Sequence, residues 1–134
     1  MRQIKHVQQE DPNGCGIACV AMVADSYYEA IKDLAVGVPD IDDTGVNIWG
    51  LENLLTLLDI EFEHQLYPRL EWNSTYIVVT PSLNRKGISH YIVLQTNTQE
   101  IINVYDPNKG ITDIEYYTID NLKSWSEVTK VLSQ

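Results

Sequence analysis

The hydrophobic pattern changes period near the middle of the chain. After the turn-forming run Asp11-Pro12-Asn13-Gly14, residues 15–25 carry Ile17, Ala18, Val20, Ala21, Val23 and Ala24, which fall on nearly every side of a helix. Such a helix is buried on all sides rather than lying on a surface. Ser26 and Glu29 have the spacing of a capping box and predict a second helix running to about residue 36. Gly37, Pro39 and the acidic run 40–43 read as a loop. Ile48, Leu51, Leu54, Leu55 and Leu58 then recur at helical spacing and predict a third helix over 47–58. Beyond it the segments 60–66, 75–80, 89–95, 101–105 and 111–117 are short, rich in Ile, Val, Tyr and Thr, and bounded by Pro, Asn or Gly. They read as strands. A helical turn over 120–124 and a last strand over 128–132 complete the chain.

Helices first and strands afterwards predict an α+β fold, a helical lobe packed on an antiparallel sheet, with a cleft where the two meet. No repeat or linker interrupts residues 1–134, so the chain reads as a single domain, a length that suits one core. Trp49 and Trp72 are expected to pack in the core or the cleft wall, where aromatic side chains bury most area.

Composition narrows the function. Nine basic against nineteen acidic residues give a net charge of −10, and the longest basic run is Arg85-Lys86. Nucleic-acid binding needs a concentrated basic patch and is excluded. The acidic excess serves solubility and would also suit a basic peptide. Apolar runs such as 76–79 and 91–94 fall far short of the ~20 residues that span a bilayer. The N-terminus has two positive charges with no apolar block behind them, so a cytoplasmic chain is expected. Cys15 and Cys19, four apart, form neither a disulfide framework nor a metal-ligand set. His6, His64 and His90 are scattered, and no metal or cofactor is expected.

Cys15 lies between Gly14 and Gly16 at the start of the first helix. A helix N-terminus offers free N–H groups and a partial positive charge, which favour the reactive thiolate. The glycines would let a substrate backbone come close. Cysteine on a buried helix is as often a small core residue, and the segment alone leaves both readings open. Cys19, one turn further in, reads as core. An amide at Gln9, or equally at the adjacent Gln8, could donate to an oxyanion beside Cys15, and either glutamine could also be an ordinary surface residue. His90 opens one predicted strand and Asp106 ends the next. Antiparallel pairing would make them neighbours if they share a face. The alternative is a capping Asp in a turn and a His at a strand mouth. His64 has no carboxylate at a comparable offset, and His6 has no evident partner.

Gln9, the run from Asn13-Gly14-Cys15-Gly16 to Val23, Tyr27-Tyr28, Thr44-Gly45, the helix at 51–58, Ser89-His90-Tyr91, Val104-Tyr105-Asp106-Pro107 with Gly110, and Leu122–Trp125 occur in an order that resembles the bacteriocin-processing C39 peptidases and the wider C39-like group. The resemblance spans nearly the whole chain. It implies a papain-like fold with Cys15 as nucleophile, His90 as base, Asp106 as the residue that orients it, and Gln9 as oxyanion donor. The expected reaction is cleavage of a peptide or amide bond through a thioester. A deamidase, transglutaminase-like enzyme or isopeptidase would use the same residues, and a peptide-binding module would keep only the cleft. Gly14 departs from the transporter-linked members, which usually have Asp there to cap the helix, and Asn13 is expected to take over that cap. The chain has no membrane segment and no GxxxxGK[ST] motif, so the expected partner is a peptide or protein substrate, with any transporter or host-protein target on a separate chain.

Overall fold

The computed structural model describes residues 2–39, 41–42, 45–98, 100–125 and 127–132. Three helices, α1 (Cys15–Val23), α2 (Tyr28–Ala35) and α3 (Ile48–Leu57), precede most of the strands. A hairpin of two-residue strands, β1 (Ile41–Asp42) and β2 (Gly45–Val46), lies between α2 and α3, with β1 inside the region read as loop and β2 just after it. Asp40, Asp43 and Thr44 of that region lie outside the described residues, as does Gln99 in the turn after Asn97. The main sheet holds β3 (Phe62–Leu66), β4 (Thr75–Pro81), β5 (Ser89–Asn97), β6 (Glu100–Tyr105) and β7 (Glu127–Val131) in the order β3-β7-β4-β5-β6, antiparallel throughout. Helical lobe and antiparallel sheet are as the sequence pattern predicts.

Residues 16–23 of α1 are all buried, as its all-round apolar pattern requires. The helix ends under Arg2, whose Nη2 donates to the carbonyls of Met22 and Val23 at 3.1 and 2.7 Å. A cation is well placed there, because the last carbonyls of a helix lack internal partners and carry negative partial charge. The Arg2 carbonyl in turn accepts from Gln95 Nε2 at 2.8 Å, which ties the N-terminal segment to β5. On α3, Asn47 caps the first turn by accepting from the Gly50 N–H at 2.9 Å.

Strand alternation sends side chains to two cores. Ile77, Tyr91, Val93 and Val131 face the helices. Tyr76, Val78, Ile92, Leu94 and Val128 face the other way, under Tyr117, Leu122 and Trp125. Both faces of β4 and β5 are therefore covered, by helices on one side and by the chain after β6 on the other.

Four local expectations fail. The second helix starts at Tyr28 with Tyr27 as its N-cap and no side-chain cap, so Ser26 and Glu29 form no capping box. Asn13 does not cap α1: Gly14 is the N-cap without a side-chain bond, and Asn13 Oδ1 accepts from Arg85 Nη2 at 2.9 Å instead. Residues 111–117 form no strand, because the backbone of Tyr117 is drawn to a buried carboxylate rather than to a neighbouring strand. Trp49 and Trp72 are 64% and 63% exposed, so neither packs in the core; Trp49 lies flat on the His64 ring at 6.1 Å. The helical turn near 120 is a short 3-10 helix, Ile119–Asn121, closed by a capping box from Thr118.

Candidate active site

The N-terminal segment, the start of α1, the start of β5 and the corner after β6 converge on one cleft of about 590 Å³. Cys15, half-buried, opens α1 at its edge, and Gln9 and His90 line it as well. Asp106 is 1% exposed behind His90.

The β5–β6 ladder ends at the Val93–Tyr105 pair. One step further would set Asp106 opposite Ile92, which shares a face with His90. The two are thus diagonal neighbours on one face rather than a directly opposed pair. His90 Nε2 donates to Asp106 Oδ1 at 2.7 Å. Asp106 Oδ1 also accepts from the Asn108 N–H at 2.8 Å, and Oδ2 from the Tyr117 N–H at 2.7 Å. A buried carboxylate is costly unless its lone pairs are satisfied, and these three donors fix its orientation.

With Nε2 occupied, Nδ1 is the ring nitrogen left to serve Cys15, which lines the same cleft as His90. Burial opposes a charge on His90, but the hydrogen bonds to Asp106 and Cys15 and their negative charges outweigh it and raise the imidazole to about 9. The site therefore favours imidazolium at neutral pH. Cys19 is fully buried one turn away; burial first, and then the charges of Cys15 and Asp106, push its thiol well above the ordinary range. It is a core residue, and both cysteines are free.

Gln9 is separated from Gln8 by packing. Its backbone N–H donates to the Pro107 carbonyl at 3.0 Å, and its side chain is 6% exposed. Nε2 donates to the carbonyls of Asp11 at 3.0 Å and Pro12 at 3.2 Å, while Oε1 is buried without a partner. Gln8 is exposed and rests against Gly110, where a Cβ would stand 2.6 Å from its Oε1. Gly110 has φ +95°, and that backbone conformation calls for glycine.

The glycines beside Cys15 are needed for the protein's own packing. A Cβ on Gly14 would lie 1.9 Å from the Tyr28 hydroxyl, which donates to Asp11 Oδ2, and one on Gly16 would lie 3.0 Å from Val46 Cβ. Any side chain at position 14 would have to displace Tyr28.

Two residues escaped the sequence reading. Tyr117 supplies a backbone donor to Asp106, stacks on the His90 ring at 6.5 Å, and donates its hydroxyl to the Pro81 carbonyl. His6 does have a partner, the Asp106 carbonyl, 2.8 Å from its Nε2. No short-range pattern marks either, since the contacts span 11 and 100 residues of chain. His64 lies outside this cleft, with Nδ1 2.8 Å from Glu52 Oε2 and Nε2 3.2 Å from Glu127 Oε2. Among the described residues no group of three His, Cys, Asp or Glu has metal-binding geometry, and no helix is long and apolar enough to cross a membrane.

Among solved structures, the chain is similar to the peptidase domain of Streptococcus ComA, a bifunctional ABC transporter involved in quorum sensing. The TM-score is 0.67 at 17% identity, covering 98% of this chain and 100% of that one. It is also similar to a double-glycine-motif protease from an AMS/PCAT transporter, solved with its leader peptide, at TM-score 0.64 and 16% identity over 97% and 93% of the two chains. These likenesses establish a C39-type papain-like fold. No curated protein sequence matches the chain. The profile of the Peptidase C39 family, however, matches residues 3–133, and the chain belongs to that family.

Proposed function

We propose that this C39-family chain is a cysteine peptidase that cleaves a peptide bond through Cys15, His90 and Asp106, with Gln9 completing the oxyanion site. The reading is carried by one observation: His90 is held by Asp106 at 2.7 Å on one ring nitrogen, which leaves the other for Cys15 in the open cleft that both residues line.

In the reaction the thiol proton resides on His90 Nδ1, as the raised imidazole implies, and Cys15 Sγ attacks the carbonyl carbon of the scissile bond as thiolate. The carbonyl π electrons move to oxygen. The oxyanion accepts from the Cys15 backbone N–H, which has no partner within the helix because it belongs to the first turn. It also accepts from Gln9 Nε2, which exchanges its longer bond, the one to Pro12, for the oxyanion. Catalytic hydrogen bonds of this kind tighten when substrate arrives. The oxyanion collapses, the C–N bond breaks, and imidazolium gives its proton to the leaving amine, leaving a thioester. His90 then deprotonates water, which attacks the thioester; the C–S bond breaks, the proton stays on His90 beside the released thiolate, and a carboxylic acid product departs. Asp106 keeps Nε2 protonated and the ring in place throughout.

The neighbour solved with a leader peptide makes a double-glycine leader peptide the first substrate to try. Mass spectrometry of that peptide incubated with wild type and with Cys15→Ala tests the reading. New termini produced by wild type alone are expected. An intact peptide carrying a +1 Da change on Gln would instead mean deamidation and contradict it.

A further inference from the structure

The longest basic run in the sequence, Arg85-Lys86, lies in the β4–β5 loop that leads directly into His90. That loop is tightly braced. Ser82 Oγ accepts from the N–H groups of Asn84 and Arg85 at 3.1 and 3.0 Å, and the Ser82 N–H donates to the Ile88 carbonyl at 2.8 Å. Asn84 clamps the loop to the chain after β6, donating from Nδ2 to the Glu115 carbonyl at 2.8 Å and accepting the Glu115 N–H at 2.9 Å. Arg85 thus projects from a fixed arm. It and His90 are the basic side chains lining the cleft of Cys15.

Its partner is neutral. Arg85 Nη2 donates to Asn13 Oδ1 at 2.9 Å, two residues before Cys15, and no ion pair with a carboxylate among the described residues includes Arg85. This is in a chain with nineteen acidic residues. The nearby acid Asp11 is engaged elsewhere, by the Tyr28 hydroxyl at 2.8 Å and Lys32 Nζ at 3.0 Å; Glu10, exposed, lines the same cleft. A guanidinium presents a planar fork that matches a carboxylate with two hydrogen bonds, and a charge-assisted bond is roughly twice as strong as a neutral one. A carboxylate brought in by a peptide would therefore displace the Asn13 contact.

We propose that Arg85 is a specificity-determining residue that reads a carboxylate of the peptide bound in the cleft. The chain's overall acidity then does not set substrate charge; one cation beside the nucleophile does. This rests on the peptidase reading, and the test separates the two. Cys15 alkylation is followed by mass spectrometry with iodoacetate, which carries a carboxylate, and iodoacetamide, which does not. The ratio of the two rates should fall about three- to tenfold in Arg85→Gln, the loss of one unit charge at close range, and should be largely retained in Arg85→Lys. Equal ratios in wild type and Arg85→Gln overturn the proposal. If iodoacetamide labelling of Cys15 does not depend on His90, the peptidase reading falls as well; if it does depend on His90 and the ratios are equal, only the role of Arg85 falls. The carboxylate's source is read in a further pair of arms. Peptidyl chloromethyl ketones differing only in Glu or Gln report a side chain, and protection by peptides ending in a free acid or an amide reports a chain terminus. An Arg85-dependent preference in one of them is expected, and its absence from both overturns the proposal.

Discussion

Two histidines in this protein are held by carboxylates at nearly the same distance, and only one of them lines the cleft of Cys15. His64, on β3, has Nδ1 on Glu52 of α3 and Nε2 on Glu127 of β7, and Trp49 covers its ring. Glu52 also accepts from the Thr129 hydroxyl at 2.9 Å. Both nitrogens are held by carboxylates and neither faces the cleft of Cys15, so the cluster works as a clasp between α3 and the sheet edge. His90 has one nitrogen on Asp106, and the other is left over in a cleft that Cys15 also lines. A His–carboxylate bond by itself therefore says nothing about catalysis. The free nitrogen and what it faces make the difference.

The sharpest way to break that comparison is to truncate each ring. His90→Ala is expected to lower peptide turnover by ~10²–10⁴, the usual share of general acid–base catalysis. His64→Ala is expected to change turnover less than about twofold and to cost about 1–2 kcal/mol of stability in urea unfolding. That is less than the loss of a fully buried pair, because His64 is a quarter exposed and Thr129 still serves Glu52. A matching loss of turnover in both variants would erase the distinction. Gln9→Ala, measured in the same assay, should reduce kcat by ~10²–10³ if its amide serves the oxyanion. An unchanged kcat would leave Nε2 as a brace for the 11–12 turn only.

How much of this was visible in the chain depends on range. The two periods placed α1, α3 and the sheet strands within a few residues, because burial on one or all faces leaves a local signature. Cys15, His90, Asp106 and Gln9 were legible as candidates through their ordered resemblance to a family. What packs around them was not. Gly14 looked like room for a substrate, yet Tyr28, fourteen positions on, fills the space. Asn13 looked like a cap, yet Arg85 holds its side chain across 72 residues. Residues 111–117 have strand composition, but Tyr117 directs its N–H to Asp106 and its ring to His90, a tertiary demand that overrides propensity.

The smaller effects sharpen the account of His90. Because Asp106 helps to raise it to about 9, the alkaline limb of kcat/KM should fall near that pH, where imidazolium is lost as the acid for the leaving amine. Asp106→Asn should move the limb to lower pH by about one unit or more, whereas Glu52→Gln should leave it in place. Stability carries the same sign. A histidine raised in the folded state above its ordinary 6.5 contributes stability that is complete below about 6.5 and lost as pH rises through about 9, on the order of 3 kcal/mol at most. Urea midpoints should therefore fall more steeply between pH 6 and 9.5 in wild type than in His90→Gln.

The most direct measurement is the rate at which iodoacetamide alkylates Cys15 near pH 6.5 in wild type, His90→Ala and His64→Ala, with Cys19 as the internal reference. The account predicts rapid labelling of Cys15 and none of Cys19 in the folded protein, a loss of at least tenfold in His90→Ala, and wild-type rates in His64→Ala. Labelling of Cys15 that is indifferent to His90 would contradict it.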